Sequence, residues 1–230
     1  MATLLITGSN RGIGRGIASV FHRAGYSLVS LNRTLAGVPW LGEIPCDLAD
    51  RDSLESALRC VQESAPTLDV CVLNAGIRRL ARADSMSAKD FAESFWVNCG
   101  AAFMIAQRMR SAMARVGGTI VFVGSNAAVR AFEGGAAYCT SKAAMGTLAD
   151  VLELEWGPSG VRVTLLVAGA VSNRPKGYDA FKLTPEEIGE VVLNIARLPN
   201  NVRVQTIAVE PMKSLAAPVE GIERLLYRRS

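Results

Sequence analysis

Two side chains able to move protons stand one helical turn apart in this chain, Tyr138 and Lys142, in the run Tyr-Cys-Thr-Ser-Lys. On a helix, residues four apart leave the same face and can converge on one bound molecule. A free tyrosine titrates at about 10 and is a poor acid or base at neutral pH, whereas a fixed ammonium beside it favours the phenolate. Ser125, thirteen residues before the tyrosine, adds a hydroxyl that can hold an oxygen against the phenol. The pattern is weak alone, since an aromatic and a lysine one turn apart often mean a core contact and a solvated charge. The elements around it decide.

At the start of the chain, Thr3 to Thr7 reads as a buried strand and Gly8-Ser9-Asn10-Arg11-Gly12-Ile13-Gly14 as a turn into a helix. Ile13, Ile17, Val20, Phe21 and Ala24 repeat at helical spacing until Gly25. Strand, glycine-rich turn and helix make a phosphate cradle: Gly8 permits the turn, Gly12 lets backbone approach a pyrophosphate, and Gly14 lets the helix pack on the strand. The second strand, Ser27 to Leu31, ends in Asn32-Arg33, where dinucleotide folds meet the adenosine ribose. No carboxylate waits there for ribose hydroxyls. Arg33 and Arg11 instead suit a 2′-phosphate, because guanidinium forks match phosphate oxygens; the alternative is two solvated arginines. Asp47, in Cys46-Asp47-Leu48, is placed to accept from an adenine amino group, and Asn74-Ala75-Gly76, ending the strand Leu68 to Leu73, offers small residues for close approach.

The pattern continues as a helix from Asp52 to Ser64 and a long one from Ala88 to Arg115, interrupted by Asn98-Cys99-Gly100, whose poor helix propensity predicts a kink or a held water. Thr119 to Val123 is a fifth strand delivering Ser125, Ala136 to Trp156 the helix carrying Tyr138 and Lys142, and Val161 to Val167 a sixth strand. Residues 172–183 lack periodicity and read as a short substrate lid; a helix starting at Thr184-Pro185 and a last strand, Arg203 to Val209, follow. Strands alternating with helices predict a parallel sheet in a single α/β domain, and 230 residues at 50% hydrophobic and 20% charged suit one core. The net charge of +4 is spread along the chain without a basic block, which argues against a nucleic-acid or membrane surface and for a small anionic ligand. Five scattered cysteines without metal-ligand spacing predict reduced thiols and no metal site. The start lacks a charged segment with a long apolar core, so a cytoplasmic protein is expected. His22 lies off its helix's apolar stripe and is expected at the surface.

In order, Thr7-Gly8-x-x-x-Gly12-x-Gly14, Asn74-Ala75-Gly76, Asn98, Ser125 and Tyr138-x-x-x-Lys142 resemble the short-chain dehydrogenase/reductase family over essentially the whole chain. The resemblance implies a doubly wound Rossmann fold with a seven-stranded parallel sheet. It implies Tyr138 as proton donor, Lys142 as its tuner and ribose ligand, Ser125 as carbonyl positioner, and Asn98 as holder of a relay water. Cofactor contacts fall by the same resemblance on Gly8, Ser9, Arg11, Gly12, Ile13, Gly14, Asn32, Arg33, Asp47, Leu48, Asn74, Ala75, Gly76, Tyr138 and Lys142, and past the sixth strand on Gly169, Val171 and Asn173. Asn32 stands where NAD-preferring members carry an acidic residue and Arg33 where NADP-preferring members carry a basic one. Asn173 departs from the family's threonine at the nicotinamide, and the stretch from Leu183 to Pro199 is similar to the NADP-dependent 3-hydroxy acid dehydrogenase subgroup.

These readings predict an NADP(H)-dependent oxidoreductase interconverting a small carbonyl compound and a secondary alcohol. A 3-oxoacyl thioester reductase is the enzymatic alternative, and a nucleotide sensor without activity the non-enzymatic one. A homodimer or homotetramer is also expected. Phe91, Phe95, Trp96, Phe103 and Met104 on one helix, with Leu148, Val151, Leu152, Leu154 and Trp156 on the other, are too many apolar positions for one buried face, and family members commonly pair these helices.

Overall fold

The computed structural model describes residues 1–172 and 181–212. Seven strands, β1 (Thr3–Thr7), β2 (Ser27–Asn32), β3 (Gly42–Pro45), β4 (Val70–Leu73), β5 (Thr119–Val123), β6 (Arg162–Ala168) and β7 (Thr206–Val209), form one sheet in the order β3-β2-β1-β4-β5-β6-β7. Every neighbouring pair is parallel. The chain starts at the centre, winds outward to β3, then returns past β1 to β4 and winds the other way. This is the doubly wound Rossmann arrangement expected, and its reversal between β1 and β4 opens a crevice at the strands' carboxyl ends.

Alternation along the strands feeds two cores. Leu5, Cys71, Leu73, Ile120 and Phe122 point to the side covered by α2 (Arg51–Ser64), α4 (Ala101–Ala114) and α5 (Ala136–Trp156). Leu4, Ile6, Val70, Val72, Val121 and Val123 point to α1 (Gly12–Arg23) and α6 (Pro185–Ala196). A parallel sheet buried on both faces needs such unbroken apolar runs.

Helix ends follow local chemistry. Asp50 caps α2 by accepting from the Asp52 and Ser53 amides, and Ser87 caps α3 (Ala88–Phe95) at the Asp90 amide. Thr184 and Glu187 form a reciprocal capping box on α6, with Pro185 in the first turn. Between α3 and α4, Trp96–Gly100 is a π-helical turn, the physical form of the predicted interruption. α1 and α6 cross at two glycines: a Cβ on Gly16 would come 2.2 Å from the Pro185 carbonyl carbon, and one on Gly189 would come 3.0 Å from the Gly16 carbonyl oxygen.

The structure corrects the expected partner face. Leu152 is 2% exposed and packs in the core, Trp156 is also buried, and Trp96, Met104 and Leu148 are only partly exposed. Phe91, Phe95, Phe103, Val151 and Leu154 do face outward, Leu154 at 73%. Helix α5 meets the sheet through its Met145, Ala149, Leu152 and Trp156 side, a choice that a helix apolar on several sides conceals. Asn173 and most of the proposed lid lie outside the described residues.

Candidate active site

A cleft of about 860 Å³ runs along the carboxyl ends of β1, β2, β4 and β5, within the usual range for ligand clefts, roughly 300–1,000 Å³. One end is lined by Gly8, Arg11, Gly12, Arg33 and Asp47, and further lining comes from Tyr138 and Lys142 of α5. Gly12 adopts φ +54° and Gly8 φ +70°, conformations that favour glycine. A Cβ on Gly14 would stand 2.2 Å from the Gly8 carbonyl oxygen, so the loop folds directly against the start of α1. The amide of Asn74 braces this turn from β4, its Nδ2 donating to the carbonyls of Thr7 at 3.0 Å and Gly8 at 3.1 Å. The Thr7 hydroxyl accepts from the Asn74 and Ala75 amides. Backbone N–H groups at a helix start, glycines leaving the surface bare, and two arginines with no ion-pair partner among the described residues fit the phosphates of a dinucleotide.

Lys142 is buried, and its Nζ donates to the Val123 carbonyl at 2.8 Å. Burial lowers its pKa from the ordinary 10.5 to about 8, opposed in part by the nearby Cys99 thiol. Cys99 itself is pushed up by burial, with the Lys142 charge acting against it.

Asn98, on the π-helical turn and fully buried, accepts from the Ile77 amide at 2.7 Å and donates to the Ile77 carbonyl and to Ser141 Oγ, each at 2.9 Å. Ser141 in turn donates to the Tyr138 carbonyl at 2.8 Å. Both amide donors of Asn98 are thus spent on protein, and the side chain joins the end of β4 to the turn of α5 carrying Tyr138. Gly76 packs beside it: a Cβ there would lie 2.8 Å from Asn98 Oδ1 and 3.9 Å from Lys142 Nζ.

Ser125 follows the cleft-lining Val123 and Gly124, and its Oγ accepts from the Ala127 amide at 3.2 Å, starting a short 3-10 turn. Ser9 and Asn32 are corrected as well. Both are buried beneath the glycine loop, Asn32 Oδ1 accepting the Ser9 amide at 2.8 Å and its Nδ2 donating to Ser9 Oγ at 3.2 Å. They brace the loop rather than line the cleft. Leu48 and Ile13 line it, and the Leu48 carbonyl accepts from Trp96 Nε1 at 2.8 Å. Gly169 bonds Val209 through its amide and Val171 bridges to Leu183, neither among the cleft residues. His22 is exposed as expected, stacked on Trp40.

Sequence reasoning missed Ser141 and Glu43. The first was visible as a hydroxyl between Tyr138 and Lys142. The second is a carboxylate on β3 that accepts from Asn32 Nδ2 at 2.7 Å, one strand away from the position where a carboxylate was sought.

A glycine-rich turn feeding a helix at the switch point of a parallel sheet defines a Rossmann-type α/β protein. Residues 2–177 match the family model described as short chain dehydrogenase. D-threitol dehydrogenase of Mycolicibacterium smegmatis is 32% identical over 79% of this chain and 77% of its own length. Human L-xylulose reductase is 34% identical over 70% of this chain and 68% of its own. A solved alcohol dehydrogenase from the archaeon Thermococcus sibiricus, complexed with 5-hydroxy-NADP, superposes with a TM-score of 0.84 at 27% identity, covering 94% of this chain and 99% of that one. The chain belongs to the short-chain dehydrogenase family, oxidoreductases of alcohols and carbonyl compounds.

Proposed function

We propose that this protein is an NADP(H)-dependent oxidoreductase, one cofactor-binding and catalytic domain that interconverts a small ketone or aldehyde and its alcohol, with neutral polyhydroxy compounds as the first substrates to test. The observation that carries the reading is the cleft itself, which gathers Tyr138, Lys142, Asn74 to Gly76 and the glycine loop at one switch point and sets Arg11 and Arg33 at its edge. Relatives that act on threitol and xylulose support the substrate class, and the archaeal neighbour solved with an NADP derivative supports the cofactor.

When bound, the nicotinamide cofactor supplies or receives the hydride. In the reducing direction the Tyr138 phenol gives its proton to the carbonyl oxygen, and in the oxidising direction the phenolate takes the alcohol proton. The Lys142 ammonium favours the phenolate and bonds the ribose, Ser125 Oγ holds the substrate oxygen, and Asn98 fixes the geometry of α5 through Ser141. Arg33 and Arg11 bind the 2′-phosphate. The outward faces of α3, α4 and α5 pair two copies, and the protein works in the cytoplasm.

The test is Tyr138→Phe, assayed for NADPH binding by fluorescence and for turnover against polyols, ketoses, hydroxy acids and 3-oxoacyl thioesters with both cofactors. Binding should persist while turnover is lost; substantial turnover in the variant would remove Tyr138 as the proton donor.

A further inference from the structure

β2 and β3 are parallel neighbours, yet residues 33–41 join them with no helix between. Such a crossover ordinarily takes a dozen or more residues, usually with a helix whose own carbonyls satisfy its amides. Here the amides need other partners. Glu43, at the start of β3, supplies them. Its Oε1 accepts from the Ala36 amide and its Oε2 from the Gly37 amide, both at 2.7 Å, and Asn32 Nδ2 adds a third bond to Oε1 at 2.7 Å. Burial pushes this carboxyl's pKa up, but the bonds from Ala36, Asn32, Gly37 and Val38 outweigh it and hold the group below its ordinary value, so it stays ionised. The far end of the crossover is pinned separately: Trp40 stacks on His22 at 4.5 Å, and the Arg15 guanidinium lies 4.9 Å from the Trp40 ring centroid.

Arg33 and Thr34 leave β2 into this clamped segment and line the cleft. Asn32, bonded to Glu43, also accepts the Ser9 amide, so one carboxylate ties the crossover to the loop that carries Arg11. We propose that Glu43 is a positioning residue for cofactor choice: it stands in for the missing helix, holding Arg33 in register with Arg11 at the 2′-phosphate end of the cleft. The inference rests on the NADP reading above and assigns the selectivity to a residue that touches neither cofactor nor substrate.

The experiment uses the full chain with Glu43→Ala and Glu43→Gln. Dissociation constants for NADPH and NADH, kcat at saturating NADPH, and hydrogen exchange of the ligand-free protein at residues 36–38 are measured. Glu43→Ala should weaken NADPH by about tenfold, move NADH by less than about twofold, and leave kcat near the wild-type value. Exchange at residues 36–38 should accelerate, and Glu43→Gln, which keeps one acceptor oxygen, should fall between. Should the alanine variant fail to fold, the near-isosteric glutamine carries the test alone. Equal weakening of both cofactors, unchanged exchange, or a glutamine variant that binds NADPH more tightly would overturn the proposal. A wild type indifferent between NADPH and NADH sinks the NADP reading itself, whereas one that prefers NADPH and keeps that preference without Glu43 sinks only this inference.

Discussion

Replacing Lys142 by methionine should change how the protein's stability depends on pH, in a window set by the site's own geometry. The Lys142 Nζ is buried with one neutral oxygen acceptor, the Val123 carbonyl at 2.8 Å, and the Met145 sulfur at 3.9 Å; among the described residues no carboxylate pairs with it. Burial brings its pKa from 10.5 to about 8. At roughly 1.4 kcal/mol per pH unit, keeping the ammonium costs the native state on the order of 3 kcal/mol relative to the neutral amine. Below pH 8 the lysine is charged in both folded and unfolded chains, so the native state bears the whole cost. Between about 8 and 10.5 the unfolded chain holds a proton that the folded one has released, so stability rises with pH. Cys46 and Cys71, raised by burial to about 11 and about 12, act in the opposite sense, because the native state keeps their protons longer. Subtracting the variant from the wild type cancels them. The lost bond to the Val123 carbonyl offsets roughly 1 kcal/mol of the gain. Lys142→Met should therefore be more stable than wild type by roughly 2 kcal/mol at neutral pH, with that lead shrinking by on the order of 3 kcal/mol as pH rises through the window. Urea unfolding of both proteins at stepped pH measures it. A difference that stays constant from pH 8 to 10.5 would refute the buried ammonium.

The remaining predictions concern the cleft's edge and the outer helices. Arg33→Ala should cost NADPH binding roughly tenfold to a hundredfold and NADH far less, read by fluorescence titration; equal losses would return Arg33 to the solvated surface. Leu154→Asp, on the exposed side of α5, should shift sedimentation toward monomer and lower activity in a way that higher protein concentration relieves. Leu152→Asp should instead unfold the protein, since that side chain is 2% exposed, and a wild type sedimenting as a fully active monomer would end the pairing argument.

The parts legible in the sequence were those whose signal is local. Helix α5 emerged at Ala136–Trp156 because turn residues bound it on both sides, and α2 because Asp50 and its neighbours announce a cap. The weak helix formers Asn98, Cys99 and Gly100 marked the π-helical turn, although its span reaches back to Trp96. The residues of the glycine loop, Asn74 to Gly76, Tyr138 and Lys142 were readable for the same reason, since each sits at fixed spacing in its own element. Contacts made across the sheet were not. Ser9 and Asn32 were read as facing a ligand because their positions border it, but their side chains meet each other beneath the loop. Glu43 gave no sign because its work depends on the shape of a crossover that has no periodicity. Leu152 was misplaced because a helix apolar on several sides does not announce which side meets the sheet.

The crossing of α1 and α6 bears on the order in which this protein can assemble. Gly16 and Gly189 let the two helices touch backbone to backbone, so the outer face of α1, with Val20 lying against Gly189, is shaped for a partner made only when residues 185–196 exist. During synthesis the nucleotide cradle would leave the ribosome early, its helix half clothed, and would wait for nearly the whole chain. Contacts so distant along the sequence slow folding and leave apolar surface available to other molecules in the meantime. Helix α6 is therefore a closing latch on α1: a nascent chain stalled before Thr184 would carry the cradle's residues without the wall that steadies them.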